Sequence, residues 1–283
     1  MIHSHFTHFL YYTRKPTPKQ GQILHKEFFH KGLEIGTINW YNACILSVWR
    51  RSPVKNGKCT PLLPFVLGLA CAGLRWVLFQ DHTDALGLLE TGTLPETGII
   101  LLTALSLVLF ALAARRNWDV ENTKLAALGQ LLGGLGIFLA ALTSSGQMTG
   151  PVAALWKIVG LIAGVCLMLQ GVCALTKRKA PFLLPLLPCV FFLLHLIDNY
   201  RGWSSQPQLQ KYLFDLLAIL SLAFFSYCNA AREVSLGKPK TRIFSGLCAV
   251  YFCLAAIPGN PAFTILYALC ALWALTNLVP KTE

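Results

Sequence analysis

From residue 61 to the C-terminus, the chain consists of long apolar segments separated by short loops, and alternate loops are rich in Lys and Arg. A helix of roughly 20 apolar residues crosses the hydrocarbon core of a bilayer. Open strands are excluded there, because every backbone polar group in lipid needs a partner within its own segment. The predicted spans are residues 61–80, 96–114, 124–143, 152–176, 181–198, 211–231, 243–257 and 261–279. The sequence therefore predicts an all-α polytopic integral membrane protein with about eight transmembrane helices.

The composition agrees with this fold class and also limits the kinds of binding partner to be expected. Hydrophobic residues make up 55% of the 283 residues and charged residues only 13%, whereas soluble domains carry about 25% charged residues. A net charge of +12 would suit nucleic acid or an anionic membrane surface. Most of the cations, however, lie in loops beside apolar segments, where they orient the helices. We therefore expect the lipid bilayer as the main environment and no nucleic-acid partner.

The alternation of loop charge also predicts orientation. The loops before the first span and after the second, fourth and sixth spans are basic, as in Lys177-Arg178-Lys179. The intervening loops carry few cations, and only the loop with Arg201 departs mildly from the pattern. Because cytoplasmic loops are enriched in Lys and Arg, both termini are predicted to be cytoplasmic.

The two halves of the membrane region resemble each other. The segment from Leu101 to Phe110 and the segment from Leu216 to Phe225 share six identities in ten at a constant offset of 115 residues. Pro61 and Pro181 open the first and fifth spans in similar contexts. This pattern predicts a four-plus-four parallel repeat, whose copies would be related by an axis along the membrane normal.

Residues 1–53 differ from the rest of the chain. They contain no apolar span and are basic and rich in aromatic residues and His. One interpretation is a disordered N-terminal arm. The favoured interpretation is a translation start placed too early. Residues 54–58 resemble a bacterial N-terminus begun at a Val codon, and residues 54–283 then make up the eight-helix domain. A His-rich metal tail is not favoured, because His3, His5 and His8 have no Cys or carboxylate nearby, so no metal is predicted.

Five ionisable residues fall within the predicted spans. A charged side chain in the bilayer is energetically costly, so each of these residues is a candidate for a functional site. The topology places all of them in the outer half of the bilayer, so they form a candidate outward-facing polar cluster. The alternative is that each cation extends to the headgroups and each carboxylate marks a helix end. The residues are Arg75, Lys157, His195, Asp198 and Asp215.

Glycines at helical spacing on the third and fourth spans form a second candidate set. Small residues at this spacing let membrane helices approach closely, and the short loop between the two spans predicts an antiparallel pair. Helix packing is the favoured interpretation, against a solute path or an oligomer interface. The residues are Gly129, Gly133 and Gly136 on the third span and Gly160, Gly164 and Gly171 on the fourth.

Sequence motifs for catalysis are not found. The chain contains no G-x-x-x-x-G-K-[ST], H-E-x-x-H or G-x-S-x-G pattern. Most cysteines lie inside apolar runs, where Cys behaves as a small hydrophobe, and no C-x-x-C pair occurs. We predict no catalytic residue, no metal site and no cofactor.

One stretch carries a resemblance. Asp198-Asn199-Tyr200-Arg201-Gly202-Trp203, followed by Pro207 and Lys211-Tyr212, resembles a segment of multi-pass membrane proteins of Gram-positive gut bacteria to which no activity is assigned. The similarity covers the fifth and sixth spans. It implies a bacterial cytoplasmic membrane and carries no reaction, substrate or residue role.

Three functional classes remain open from the sequence. A non-catalytic membrane partner, sensor or assembly subunit is favoured, with a membrane-protein partner or a homo-oligomer, because the loops are short and motifs are lacking. The alternative is a small-solute transporter with an outward-facing polar site. A membrane-embedded enzyme is the least favoured.

Overall fold

The computed structural model describes residues 61–83, 89, 92–115, 124–143, 151–178, 181, 183–203, 212–234 and 236–279. Residues 1–53 and 54–283 are separate units of the chain, and every described residue belongs to the second unit. Both interpretations of residues 1–53, and the start predicted at Val54, lie outside the described residues.

The described residues form eight α-helices, and seven helical segments are long and apolar enough to cross a membrane. Within these ranges the only β pairing is an isolated bridge between Thr83 and Leu89. The prediction of an all-α polytopic membrane protein is therefore confirmed. The helices are α1 (Leu62–Asp81), α2 (Leu94–Ala114), α3 (Lys124–Thr143), α4 (Pro151–Leu175), α5 (Leu183–Trp203), α6 (Leu213–Glu233), α7 (Pro239–Ala256) and α8 (Thr264–Thr276).

The last two spans differ from their predicted limits. Helix α7 begins at Pro239 and not at residue 243, because proline suits the first turn of a helix and Arg242 finds partners inside the bundle. Helix α8 has only 13 residues and follows two short 3₁₀ turns, Ile257–Gly259 and Pro261–Phe263. At about 1.5 Å per residue, α8 is some 20 Å long. It is therefore shorter than the bilayer core of about 30 Å.

Helices α3 to α8 form a closed ring in which each helix packs against the next and α8 packs against α3. The α1–α2 hairpin packs against α7. Within its apolar segment, α7 is 78% buried, against 28% for α1 and for α2. We call the end where α1, α3, α5 and α7 finish the distal end, and the opposite end, which carries Arg178, Arg232 and Lys240, the basic end.

The glycines of α4 lie at its contact with α3, where the two helices run antiparallel. A Cβ added to Gly164 would lie 2.9 Å from the carbonyl oxygen of Gly134, and one added to Gly171 would lie 2.9 Å from that of Ala127. A Cβ on Gly160 would meet Ala141 of α3 and also a ring on α5. Backbone therefore touches backbone along this pair, as small residues permit.

The glycines of α3 serve a different neighbour from the one that the sequence suggests. Added Cβ atoms on Gly129, Gly133 and Gly136 would meet Thr276, Trp273 and Leu269 respectively, at 1.7 to 2.9 Å. All three of these contacts lie on or next to α8. The stripe therefore holds the short α8 against α3, and α3 approaches α4 through Gly134, which the pattern did not single out.

The four-plus-four repeat stays a prediction. Helix α7 packs against α1 and α2, whereas its counterpart α3 makes no comparable contact with α5 or α6 in the described part of the chain. The two halves therefore resemble each other in the sequences of single helices, but their helices do not share the same packing partners among the described residues.

We expect Gly164→Ala to lower the free energy of unfolding by about 1–3 kcal/mol, because its methyl group would overlap the α3 backbone. Gly73→Ala on α1 is the matched control, since nothing lies within 4 Å of its added Cβ, and a small stabilisation of up to about 1 kcal/mol is expected there. Unfolding in detergent measures both changes. Equal effects of the two substitutions would contradict the packing described.

Candidate functional site

Arg75 of α1 is buried near the distal end of the bundle, with only 2% of its surface exposed. Its Nη1 donates a hydrogen bond to the carbonyl oxygen of Ala255 at the end of α7. The guanidinium carbon lies 5.0 Å from the ring centre of Phe79 and 4.6 Å from that of Phe214 on α6, and such stacking favours a cation. The side chain thus joins three helices and does not extend to the headgroups.

Asp215 lies in the first turn of α6 and is fully buried. Its carboxylate interacts electrostatically with Arg75 and lies beside the hydroxyl of Tyr267 on α8. Neither carboxylate oxygen nor the Tyr267 hydroxyl has a hydrogen-bond partner of normal geometry among the described residues. A buried polar atom without a partner is rare in proteins and calls for an explanation. Arg75, Asp215 and Tyr267 are called the distal polar site below.

The turn between α7 and α8 covers this site. A Cβ added to Gly259 would lie 2.7 Å from Nη2 of Arg75, so a larger residue here would require the guanidinium to shift. Asn260 follows, and Phe263 at the end of the second 3₁₀ turn is buried. The turn therefore separates the guanidinium from the distal surface.

His195 of α5 lies in an aromatic cage and not in the distal polar site. Its ring is fully buried, with ring centres 5.3 Å from Trp156, 5.9 Å from Phe191 and 4.8 Å from Phe263. Its one hydrogen-bonding partner in the described part of the chain is Asn199, whose Nδ2 lies 3.3 Å from Nε2 of the imidazole. The cage makes His195 a packing residue between α4, α5 and the Pro261–Phe263 turn.

The other two predicted residues lie farther out. Asp198 and Lys157 are each partly exposed, and Asp198 interacts electrostatically with Arg201, one turn along α5. Within the described ranges, no hydrogen bond or ion pair joins Lys157, His195 or Asp198 to Arg75 or Asp215. The structure thus brings together Arg75 and Asp215, and it distributes the other three around them.

Two features of the site are not evident in the sequence. Tyr267 lies in an apolar segment without a charged neighbour, so no local pattern distinguishes it from a core residue. The segment Pro258-Gly259-Asn260 predicts a turn by composition, but its position over Arg75 depends on how α7 packs against α1. Both features come from tertiary contacts.

The described residues contain neither a group of side chains arranged to bind a metal ion nor a disulfide bond. No three His, Cys, Asp or Glu side chains there lie close enough to share a metal ion. The described cysteines are free thiols, most of them buried. The predictions of no metal and no cofactor stay predictions, since they concern the whole chain.

We expect His195→Phe to change the free energy of unfolding by less than about 1.5 kcal/mol, because a ring of similar size keeps the aromatic contacts. His195→Ala leaves a cavity between three rings and is expected to cost about 3 kcal/mol or more. Unfolding of both variants in the same detergent gives the comparison. A larger loss for His195→Phe than for His195→Ala would show that the imidazole acts through its nitrogens.

Comparisons with known proteins leave the site to be interpreted from its own residues. No family model, no curated protein and no solved structure matches this chain. What the structure provides is a buried Arg75–Asp215 pair between α1 and α6, with the Tyr267 hydroxyl beside it and the Gly259 turn above it.

Proposed function

We propose that this multi-pass membrane protein is a carrier that binds a small amine-bearing solute at the distal polar site. The observation that carries the proposal is the Asp215 carboxylate, which is fully buried and whose two oxygens make no hydrogen bond of normal geometry with any described residue. Ionisable groups inside membrane spans are rare, and they are candidates for a functional site by default.

The site has the complementary chemistry for a donor-rich solute. Arg75 already donates to Ala255 and stacks between two rings, so its guanidinium is held in place. The Asp215 oxygens accept hydrogen bonds and favour positive charge, and the neighbouring Tyr267 hydroxyl both donates and accepts. An ammonium group would satisfy these atoms, and a carboxylate on the same solute would face Arg75.

Access to the site is proposed from the distal end. The two 3₁₀ turns, Ile257–Gly259 and Pro261–Phe263, cover Arg75 and join α7 to α8. A short connection that includes Pro258 and Gly259 is suited to move as a unit, because hinges are formed by a few residues that absorb a change in backbone angles. Displacement of this turn would open the guanidinium to the distal surface.

The orientation and location are part of the same proposal. The loop-charge alternation supports cytoplasmic termini and a distal end that faces outward, and the resemblance of the fifth and sixth spans supports a bacterial cytoplasmic membrane. The roles of a non-catalytic partner or assembly subunit stay predictions, since no feature of the described surface specifies a partner. A membrane-embedded enzyme stays the least favoured class, because the sequence carries no G-x-x-x-x-G-K-[ST], H-E-x-x-H or G-x-S-x-G motif.

The binding step can be measured by thermal unfolding of the purified protein with methylammonium, putrescine, glycine and lysine. At least one of these is expected to raise the midpoint for the wild type, because a ligand that binds only the folded state stabilises it. Asp215→Asn and Tyr267→Phe are expected to weaken that binding about tenfold or more, through loss of a charge-assisted or neutral hydrogen bond.

Asp198→Asn is the matched control, since it removes the same charge from the distal half of α5 at a partly exposed position. It should bind as the wild type does. Uptake of the active solute into proteoliposomes then separates a carrier from a receptor that only binds. The carrier is refuted if none of the four solutes stabilises the wild type, or if Asp198→Asn weakens binding as much as Asp215→Asn.

A further inference from the structure

At the basic end, α6, α7 and α8 enclose a cavity of about 180 Å³. A buried water needs only about 10–15 Å³ of such space, so the cavity has room for a group of several heavy atoms. Three cations line it: Arg232 in the last turn of α6, Lys238 in the connecting turn and Arg242 in the first turn of α7.

Arg242 is built into this cavity, and no carboxylate among the described residues forms an ion pair with it. Only 8% of its surface is exposed. Its Nε donates to Oδ1 of Asn229 at 2.9 Å, and its Nη2 donates to Oδ1 of Asn277 at 3.4 Å. A guanidinium has five N–H donors, so three remain without an acceptor in the described part of the chain. The two amides thus orient the charge without neutralising it.

The surrounding charges increase the need for an anion. Arg232 acts on Arg242 as a like charge, and Glu233 is the opposing acidic group. Glu233 is exposed and does not line the cavity. Lys238 also lines the cavity, so the described charges around Arg242 are mostly positive, and a buried arginine is costly unless its charge is compensated.

Backbone hydrogen bonds define the turn that carries Lys238 between α6 and α7. The amides of Leu236 and Gly237 both donate to the carbonyl oxygen of Ala231, at 3.0 and 3.1 Å. A Cβ added to Gly237 would lie 3.0 Å from the backbone nitrogen of Arg232, so the turn is closely packed on α6. The N-terminus of α7 begins at this turn without a side-chain cap, and its orphan amides add partial positive charge.

We propose that this cavity binds a phosphate group, with Arg242 as its buried ligand and Arg232 and Lys238 at its open side. The planar guanidinium suits phosphate oxygens in a bidentate arrangement. Because the cavity lies where three membrane helices begin or end, the phosphate of an anionic phospholipid headgroup is at the right depth. Free phosphate has the same chemistry and is distinguished by experiment. The site lies at the opposite end from the distal polar site and does not depend on it.

The test measures thermal unfolding of the full chain in detergent with dioleoyl phosphatidylglycerol, dioleoyl phosphatidylcholine or inorganic phosphate. Phosphatidylglycerol is expected to stabilise the wild type, and the double variant Arg232→Gln/Lys238→Gln should bind it at least about tenfold more weakly. Lys240→Gln is the matched control, because Lys240 is exposed in the first turn of α7, two residues from Lys238, and does not line the cavity. Its affinity should stay within about twofold of the wild type.

Each outcome has a defined meaning. Stabilisation by phosphatidylglycerol alone identifies a lipid headgroup as the source, and stabilisation by inorganic phosphate as well identifies a site for free phosphate. The proposal is overturned if neither anion stabilises the wild type, if the double variant binds as the wild type does, or if Lys240→Gln loses as much affinity as the double variant. The variants replace side chains that are exposed or half-buried, and unfolding without ligand verifies that they fold.

Discussion

The arrangement of the distal half of the bundle depends on how the charge of Arg75 is accommodated among apolar helices. An isolated ion in a low-dielectric interior is strongly disfavoured. Here the guanidinium is met by a carbonyl oxygen of α7, by aromatic rings of α1 and α6, and by the electrostatic attraction of Asp215. One side chain therefore contacts three helices, and the turn that follows α7 passes close to it.

Helix α7 connects this site with the cationic cavity at the other end of the molecule. Its C-terminal carbonyl at Ala255 accepts from Arg75, and its first turn supplies Arg242. Between these ends its side chains are almost wholly apolar and buried, with Tyr251 hydrogen-bonded to Thr103 of α2 at 2.9 Å. The two sites therefore contact opposite ends of the same helix.

Much of the fold follows from the sequence, because lipid restricts the chain to helices of a known length. The limits of α3 and the count of spans need only hydropathy and loop composition. The start of α7 does not, since Lys240 and Arg242 resemble loop residues until Asn229 and Asn277 are seen to bind the guanidinium. The glycine spacing on α3 correctly indicates a close helix contact, but spacing alone does not name α8 as the neighbour.

The candidate site was only partly predictable for a similar reason. The predicted topology gives the depth of each ionisable residue in the bilayer, and it places Arg75 and Asp215 at a similar depth. It does not give the rotation of each helix about its axis, which decides the neighbour that each side chain faces. His195 shares that depth yet lies in an aromatic cage, because the rotation of α5 directs it toward α4 and the turn before α8. Tyr267 was not predicted, since nothing in its local sequence differs from a core position.

The most direct test of the account is a double-mutant cycle on Arg75→Gln and Asp215→Asn, measured as free energies of unfolding in one detergent. Removing one member of a buried charged pair leaves the other uncompensated and is expected to cost about 3–5 kcal/mol. The account predicts that the double variant is less destabilised than the sum of the two single variants, with a coupling energy of about 1–3 kcal/mol. If the two changes in the free energy of unfolding are additive, the charges of Arg75 and Asp215 do not interact, which would contradict the account.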